Sequence, residues 1–185
     1  MKETTKIRCQ WANTNPQLTN YHDRQWGVPV HNDRLLFEML NLEGAQAGLS
    51  WLTVLKRQEN YRQAFDNFNA KKIASYDDKK RAELLVNEGI IRNRLKINAV
   101  IENSRAFLAV QSEFGSFDNY IWNFTSNKRL IGNVNDRATL VSKAMSKDMQ
   151  KRGFKFIGPT IAYAFMQSVG IVNDHAKDCF RFKEV

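Results

Sequence analysis

Four residues near the two ends of the chain could bind a metal ion. Cys9 and His22 lie near the N-terminus, and His175 and Cys179 lie near the C-terminus in an H-x-x-x-C spacing. Two thiolates and two imidazoles can fill a tetrahedral zinc shell, which leaves no open position for catalysis. A zinc ion bound by this set would be structural and would join the two terminal regions, but the wide separation of the two pairs in sequence makes zinc the less favoured interpretation of the spacing alone. The alternative is two buried free thiols and two ordinary histidines.

The first 51 residues also contain side chains that could form a binding pocket. The rings are Trp11, Tyr21, Trp26 and Trp51, and the acid Glu43 lies among them. Aromatic faces suit a flat base and attract a cationic one through the ring quadrupole. A carboxylate in such a pocket would accept hydrogen bonds from N–H donors and complement a positive charge. In the alternative interpretation, the tryptophans are core residues and Glu43 is a solvated helix residue.

The segment GFKFIGPTIAYAF, residues 153–165, could bind phosphate. Pro159 suits the first position of a helix, and the backbone N–H groups around residues 158–161 would then be free to bind an anion. A basic amphipathic segment precedes this turn. Together they predict a helix-hairpin-helix element that grips the DNA backbone without reading sequence, although any αα-hairpin can contain a glycine turn. The residues expected to contact DNA here are Lys151, Arg152, Gly153, Lys155, Phe156, Gly158 and Thr160.

The distribution of charge points in the same direction. The chain has 185 residues and a formal net charge of +9. Residues 128–155 carry eight Lys and Arg against two Asp, a net charge of +6 in one stretch. Such an excess favours a nucleic acid partner, because phosphate affinity needs positive charge. A solvated helix face is the alternative, and a membrane surface is the weaker partner.

These side chains must be positioned by helices, because apolar residues recur at helical spacing along most of the chain. We predict an all-α fold in a single domain, residues 1–185, with no obvious linker. The polar stretch 125–137 is predicted to be a long mobile loop. The predicted helices are 33–42 with Asp33 as a cap, one starting at Ser50 and reaching Phe65, short helices capped by Asn69 and Asp77, 92–114, 117–124, 139–152 and 159–169.

The sequence also argues against a membrane-spanning, secreted or disulfide-rich protein. No apolar run approaches the roughly 20 residues that span a bilayer, and the N-terminal segment lacks the apolar region of a signal peptide. We therefore expect a soluble cytoplasmic protein without a membrane partner. Two cysteines that lie far apart in sequence do not make a disulfide scaffold, and we expect both to be reduced.

Taken together, these motifs resemble the 3-methyladenine DNA glycosylase I family of helix-hairpin-helix enzymes. The resemblance covers nearly the whole chain and is carried by long ordered segments. They are RCQW, YHDRQWGVP, LFEML, LEGAQAGLSWLTVLKRQENYRQAF, NEGIIRNRLKI, KRGFKFIGPTIAYAFMQSVGIVNDH and the trailing Cys179.

The resemblance implies a monofunctional glycosylase that hydrolyses the N-glycosidic bond of flipped-out 3-methyladenine in double-stranded DNA and releases the free base. It implies one zinc ion on the four ligands named above. It also implies a base pocket in which Glu43 and Tyr21 make polar contacts, Trp51 stacks, and Trp26 and Trp11 lie nearby.

The resemblance also bears on two further positions. Leu49, at the exposed turn of QAGLSW, is a candidate wedge that fills the gap left by the flipped nucleotide. The catalytic aspartate of the superfamily would fall at Asn173, and the family is similar in lacking it. The alternative function is a non-enzymatic, zinc-stabilised protein that binds alkylated or distorted duplex DNA. Nothing in the sequence demands a dimer, so we expect a monomer.

Overall fold

The computed structural model describes residues 6–185, which form mainly helices and one small sheet. The predicted domain, residues 1–185, therefore includes five residues that lie outside the described part. In chain order the elements are α1 (Pro16–Arg24), α2 (Asp33–Gln46), α3 (Trp51–Leu55), α4 (Gln58–Ala64), α5 (Ala70–Ala74), α6 (Asp78–Val86), α7 (Arg94–Phe114), α8 (Phe117–Asn123), β1 (Leu130–Ile131), α9 (Leu140–Lys151), α10 (Pro159–Ser168) and β2 (Val172–Asn173). Short 3₁₀ helices lie at Gln10–Thr14, Asp66–Phe68 and Phe180–Lys183. The expectation of a predominantly helical protein is confirmed.

Local capping chemistry sets many of the helix ends. The side chains of Asn69 and Asp77 accept hydrogen bonds from the first turns of α5 and α6, as predicted. Helix α7 begins after Asn93, whose side chain accepts from two backbone N–H groups, and it ends at Gly115. Gly115 has a φ of +81°, which is a conformation that favours glycine.

The prediction that Asp33 caps α2 is wrong. Asn32 is the cap, and its side chain accepts from the backbone N–H of Leu35. Asp33 is instead the first residue of the helix, and its carboxylate accepts hydrogen bonds from the N–H groups of Phe117 and Asp118 at 2.8 and 2.9 Å. The carboxylate therefore ties the start of α2 to the start of α8.

Three other features differ from the sequence-based expectation. The helix predicted from Ser50 is two helices, α3 and α4, separated at residues 56–57. Helix α1 was not predicted, although Asn15 and Pro16 form a regular start signal for it. The polar stretch 125–137 contains strand β1, which pairs in parallel with β2 so that Leu130 lies opposite Val172.

Helix α2 is the buried centre of the fold. All residues from Leu36 to Ala45 are buried, and α7, α8 and α10 pack against this helix. Its one strongly paired acid, Glu38, forms ion pairs with Arg62 at 2.7 Å and Arg34 at 3.1 Å. Glu43 lies in this buried run of α2.

Helices α9 and α10 pack against each other as a hairpin joined by residues 152–158. The interface buries Met145 and Met149 of α9 together with Phe165 and Met166 of α10. Beyond α10, Gly170 adopts a φ of +75°, and a Cβ at this position would lie 2.4 Å from the backbone nitrogen of Pro29. This close approach brings the end of the hairpin against the segment that follows α1. Within residues 6–185, none of the helices is both long and apolar enough to cross a bilayer.

Candidate base pocket and metal cluster

A cleft of about 760 Å³ opens between the N-terminal segment, α2, α3 and α10. The five residues predicted to form a base pocket all line it: Trp11, Tyr21, Trp26, Glu43 and Trp51. They come from four different elements, so the sequence alone does not bring them together. A concave site with apolar walls and few polar groups is the usual form of a small-molecule pocket.

The rings in the cleft are in mutual contact. The centroids of Tyr21 and Trp51 lie 5.2 Å apart at 48°, and those of Trp11 and Trp26 lie 5.0 Å apart at 85°. Trp11 also contacts Tyr21, at 6.3 Å. The tilted and edge-to-face arrangements fix the orientation of each ring through its neighbours. The pocket walls are therefore formed before any ligand enters.

Glu43 is 3% exposed, and burial raises the pKa of its carboxyl to about 8. Contact with the Ser168 hydroxyl partly opposes this shift. Burial also raises the pKa of Tyr21 well above its usual value, and the neighbouring Glu43 carboxylate adds to the effect. An acid and a phenol thus share a desolvated wall of the cleft.

Lys96 holds the end of the helix that carries Glu43. Its ammonium group donates hydrogen bonds to the carbonyl oxygens of Ala45 and Ala47, at 2.8 and 2.7 Å. A cation at a helix C-terminus satisfies free carbonyls and complements the helix dipole. Lys96 therefore fixes the turn after α2 that leads to Leu49 and Trp51.

The ionisable groups of the cleft differ from those of the chain as a whole. Although the net charge is +9, no Lys, Arg or His is among the described residues that line this cleft. Its two carboxyl groups belong to Glu43 and Asp174. The cleft is therefore suited to a ligand that brings positive charge.

Sequence reasoning missed part of the lining. Gln46, Gln167 and Asp174 line the cleft, and so do Val134 and Asn135 from the loop after β1. The position of Gln46, three residues after Glu43, was a usable signal, since both lie on one helix face. The others reach the cleft only through the tertiary fold.

The predicted metal ligands also come together. The ligand atoms of Cys9, His22 and Cys179 all lie within 4.8 Å of one another, and all three residues are buried. The fourth, His175, has its ring centroid 5.0 Å from that of His22, and its buried Nε2 atom has no hydrogen-bond partner within residues 6–185. An orphaned imidazole nitrogen beside two thiols and a second imidazole fits a metal ligand.

Neighbouring groups orient both imidazoles. Nδ1 of His22 lies 2.8 Å from the Asp23 carboxylate, which Arg8 holds by hydrogen bonds at 2.8 and 2.9 Å. Nδ1 of His175 lies 3.0 Å from Oδ1 of Asn173, and the amide of Asn173 donates to the carbonyl of Phe182. Both Nε2 atoms are thereby directed to the cluster, as in metal sites with oriented histidines.

Burial keeps Cys9 and His175 in their neutral forms when no metal ion is bound. Burial raises the pKa of the Cys9 thiol to about 12 and lowers the pKa of His175 to about 3. The imidazole is thus kept neutral, which is the form that binds a metal, and a thiolate needs a cation beside it.

The hairpin places most of the predicted DNA contacts at one surface. Gly158 is the N-terminal cap of α10 with open space beside its Cα, and Thr160 is exposed in the first turn. Phe156 has a φ of +54°, and its Cβ would lie 3.3 Å from a Cβ at Gly44. The hairpin turn therefore rests directly on α2, next to Glu43.

The basic residues of the hairpin differ in their exposure and in the ion pairs that they form within the protein. Lys151 and Lys155 are exposed, and the ammonium group of Lys155 lies 3.9 Å from Glu102. Arg152 instead forms ion pairs with Asp148 at 2.6 Å and Glu113 at 2.7 Å. Its guanidinium group is thus paired with two carboxylates in the free chain, and its contact with DNA stays a prediction.

Leu49 is 40% exposed at the turn between α2 and α3. Residues 50–52, immediately after it, line the cleft. An exposed leucine at the rim of a pocket has the position that a wedge residue requires.

Comparison with known proteins identifies the relatives of this chain. Residues 11–182 match the model of a family described as methyladenine glycosylase. The chain is 45% identical over 177 residues to a DNA-3-methyladenine glycosylase of Haemophilus influenzae, with 93% of this chain and 96% of the relative covered. A solved structure of a 3-methyladenine DNA glycosylase I superposes with a TM-score of 0.91 at 46% identity and covers 94% of this chain and 98% of its own. Another, solved in complex with 3-methyladenine, superposes with a TM-score of 0.90 at 31% identity and covers 94% and 96%.

The raised pKa of Glu43 predicts a stability change with pH. Below pH 4.5 the carboxyl group is protonated in both the folded and unfolded chain, so it contributes no difference. Between pH 4.5 and about 8 the unfolded chain releases this proton while the folded chain retains it. Burial of Glu43 therefore destabilises the fold increasingly as pH rises, by roughly 3–5 kcal/mol at pH 8.

A Glu43→Gln substitution should remove this pH-dependent cost. Urea unfolding is expected to give similar free energies for the variant and the unmodified chain near pH 4.5, and a more stable variant at pH 8. The control is Glu88→Gln, because the side chain of Glu88 is 86% exposed; its effect should stay within about 0.5 kcal/mol at both pH values. A Glu43→Gln difference that does not grow with pH would contradict the burial of this acid.

Proposed function

Since the chain belongs to the methyladenine glycosylase family, we propose that it excises 3-methyladenine from alkylated double-stranded DNA by hydrolysing the N-glycosidic bond. The observation that carries this proposal, beside family membership, is a cationless cleft lined by four aromatic rings and two carboxyl groups in a basic chain. It is built to receive a flat, positively charged base.

The chemistry of the lesion explains why such a pocket suffices. Methylation at N3 leaves the adenine positively charged, so the base departs as a neutral molecule without protonation by the enzyme. The protein therefore needs to select and hold a labile base rather than activate a stable one. A buried carboxyl group provides that selection, because a cationic base beside it favours the ionised form of the acid and is attracted to it, whereas the neutral bases of undamaged DNA are not.

Each pocket residue receives a role in this scheme. The nucleotide rotates out of the duplex at a cost of a few kcal/mol, which is smaller for a damaged base. Its base stacks on Trp51 and lies against Tyr21, Trp26 and Trp11, while Glu43 accepts hydrogen bonds from the adenine edge.

Bond cleavage then returns the electron pair of the C1′–N9 bond to the base. A water molecule adds at C1′ and releases a proton to solvent, so the products are free 3-methyladenine and an abasic sugar. Because no lysine is among the described residues that line the cleft, no Schiff base with the sugar follows and the strand stays intact.

The hairpin and Leu49 contact the DNA duplex rather than the flipped base. The backbone N–H groups at the start of α10 bind a phosphate beside the lesion, with Lys151 and Lys155 adding positive charge. Gly153 and Phe156 shape the turn, and Leu49 fills the space that the extruded nucleotide leaves. Cleft and hairpin belong to one chain, so we propose a monomer that acts on the genome in the cytoplasm.

The alternative of a non-enzymatic DNA-binding protein explains less of the molecule. A protein that grips only the backbone would use the hairpin and its basic charge, which are sequence-independent contacts. It would have no use for a buried acid among aromatic rings, since burying a carboxyl group without a partner is costly.

We further propose that Cys9, His22, His175 and Cys179 bind one structural zinc ion. Their donor types, their proximity and the unpartnered Nε2 of His175 support this assignment. Four protein ligands leave no open position, so the bound ion would cross-link the two ends of the chain and take no part in the reaction.

The excision test uses Glu43→Gln, which keeps the shape of the side chain and removes its ability to ionise beside a cationic base. Release of 3-methyladenine from methylated duplex DNA under single-turnover conditions is expected to fall at least about tenfold, because charge complementarity to the cationic base is lost. Affinity for undamaged duplex should remain within about twofold. Glu88→Gln should excise at the unmodified rate, and full activity in Glu43→Gln would refute the pocket assignment.

The hairpin test uses Gly158→Asp. Because Gly158 has a φ of −64° and open space around it, the substitution fits without strain. It places negative charge where the phosphate should bind, so affinity for duplex DNA is expected to fall at least about tenfold with an unchanged melting temperature. Gly158→Asn, of the same size and neutral, is the control and should bind more tightly than Gly158→Asp. Equal affinities for the two variants would place the phosphate site elsewhere.

The zinc test combines elemental analysis with melting. The purified chain should contain one equivalent of zinc, and chelation should lower its melting temperature, because the ion links the two ends of the chain. Cys9→Ala should lose most of the metal. His31→Ala is the matched control, since the His31 side chain is 60% exposed and pairs with Asp118 outside the cluster. A metal-free chain whose stability is unaffected by chelation would contradict the assignment.

A further inference from the structure

One buried amide joins the hairpin turn to the helix that carries Glu43. Asn103 lies in the middle of α7 and is 3% exposed. Its Oδ1 atom accepts a hydrogen bond from the backbone N–H of Lys155 at 2.7 Å, and its Nδ2 atom donates to the carbonyl of Lys155 at 3.3 Å. Nδ2 also donates to Oδ1 of Asn41, on α2, at 2.9 Å. A single side chain therefore bonds both to α2 and to the turn between α9 and α10.

This amide is the main polar link between the hairpin turn and the rest of the protein. Among residues 6–185, no other side chain from outside the hairpin hydrogen-bonds to the backbone of residues 152–158. The other side-chain bonds to this backbone come from α9, where Ser146 and Gln150 donate to the carbonyl of Ile157. Those bonds shape the turn within the hairpin but do not connect it to α2.

The turn that Asn103 holds has a strained backbone. Phe156, next to Lys155, has a φ of +54°, a left-handed conformation that is costly for a bulky residue and persists only where its surroundings determine it. A Cβ at Gly44 would lie 3.3 Å from both the Cβ and the carbonyl oxygen of Phe156. Two residues later, Gly158 is the N-terminal cap of α10. The hydrogen bonds of Asn103 therefore fix the place of the proposed phosphate site relative to α2.

Asn41 completes a buried network in which each side-chain polar atom has a partner. Asn41 is 5% exposed, and its Nδ2 atom donates to the carbonyl of Phe37 at 2.8 Å. Two buried amides are costly unless their donors and acceptors are all paired. A fully paired network specifies one arrangement of the elements that it joins. The Asn41–Asn103 pair is thus suited to hold α2, α7 and the hairpin turn in one relative position.

We propose that Asn103 is a positioning residue for excision: it holds the hairpin at the distance from the base pocket at which one DNA strand engages both. This proposal rests on the proposed function. The phosphate site at the start of α10 and the acid Glu43 must act on the same lesion, so their separation has to match the DNA. A displacement of about 1 Å caused far from the reacting bond can slow a reaction about a hundredfold. Asn103 itself contacts neither the base nor the phosphate.

The central variant is Asn103→Leu, which keeps the approximate size of the side chain and removes its hydrogen bonds. Affinity for undamaged duplex is expected to fall at least about fivefold, and excision of 3-methyladenine, measured in single turnovers below saturation, at least about tenfold. Affinity for free 3-methyladenine, followed by quenching of tryptophan fluorescence, should change less than twofold, because the pocket residues are unaltered.

Ser104→Ala is the matched control. Ser104 is the next residue of α7 and is also buried, but its hydroxyl donates to the carbonyl of Ile101 within the helix and does not reach the hairpin. This variant should bind duplex DNA and excise the base as the unmodified chain does.

A double variant distinguishes positioning from a general structural role. If Asn103 acts through the hairpin, its loss should matter little once Gly158→Asp has already disabled the phosphate site. The combination of Asn103→Leu with Gly158→Asp is therefore expected to bind duplex DNA and excise within about twofold of Gly158→Asp alone. Losses that multiply in the double variant would overturn the proposal.

Asn103→Ala leaves room for water beside the Lys155 backbone and provides the same comparison should Asn103→Leu not fold, with expected losses of at least about threefold. Duplex affinity and excision within twofold of the unmodified chain would overturn the proposal. So would a parallel loss of affinity for the free base, because that pattern indicates a general disruption of the fold. If the unmodified chain releases no base, the proposed excision is refuted, and the duplex affinities of the same variants still decide the role of Asn103.

Discussion

The burial of Glu43 without a protein cation is the constraint on which the rest of the structure depends. Burying a carboxyl group without a cation beside it costs free energy, so the packing of the surrounding elements must hold it in place. The middle of helix α2, from Leu36 to Ala45, is buried, and Lys96 donates hydrogen bonds to the carbonyl groups of Ala45 and Ala47 at its end. The rings of Tyr21 and Trp51 cover the remaining side, 5.2 Å apart. The result is a pocket that holds buried acids, and no cation among the described residues that line it, in a chain of net charge +9. Basic charge outside attracts the DNA, and a buried acid that ionises beside a cationic base selects that base.

The metal cluster and the base pocket share a wall. The Trp11 ring contacts His22 at 5.3 Å, and the Trp26 ring contacts His175 at 4.5 Å. Two pocket rings therefore rest on two of the proposed zinc ligands, and Cys9 lies in both sites. In this arrangement a structural ion would act on recognition indirectly, since it would fix the surface against which the tryptophans pack. The hairpin is connected in the same way, because Phe156 rests against Gly44 next to Glu43.

Much of the helical fold could be predicted because helix ends are set by local chemistry. The caps at Asn69 and Asp77 and the stop at Gly115 are examples. The five proposed base-contacting residues were identifiable from their types and the family resemblance. The role of Asp33, the pairing of β1 with β2 and the place of Asp174 depend on contacts between distant segments. The ion pairs of Arg152 could not be predicted, because a charge run does not reveal which charges are paired within the fold.

The most direct test of charge-based recognition compares two duplexes that differ only in the charge of one base. Both carry the base on a 2′-fluorinated sugar, which slows bond cleavage; the base is 3-methyladenine in one duplex and its neutral 3-deaza isostere in the other. The account predicts that the chain binds the cationic duplex at least about tenfold more tightly, a difference of about 1.4 kcal/mol. Equal dissociation constants for the two duplexes would contradict it.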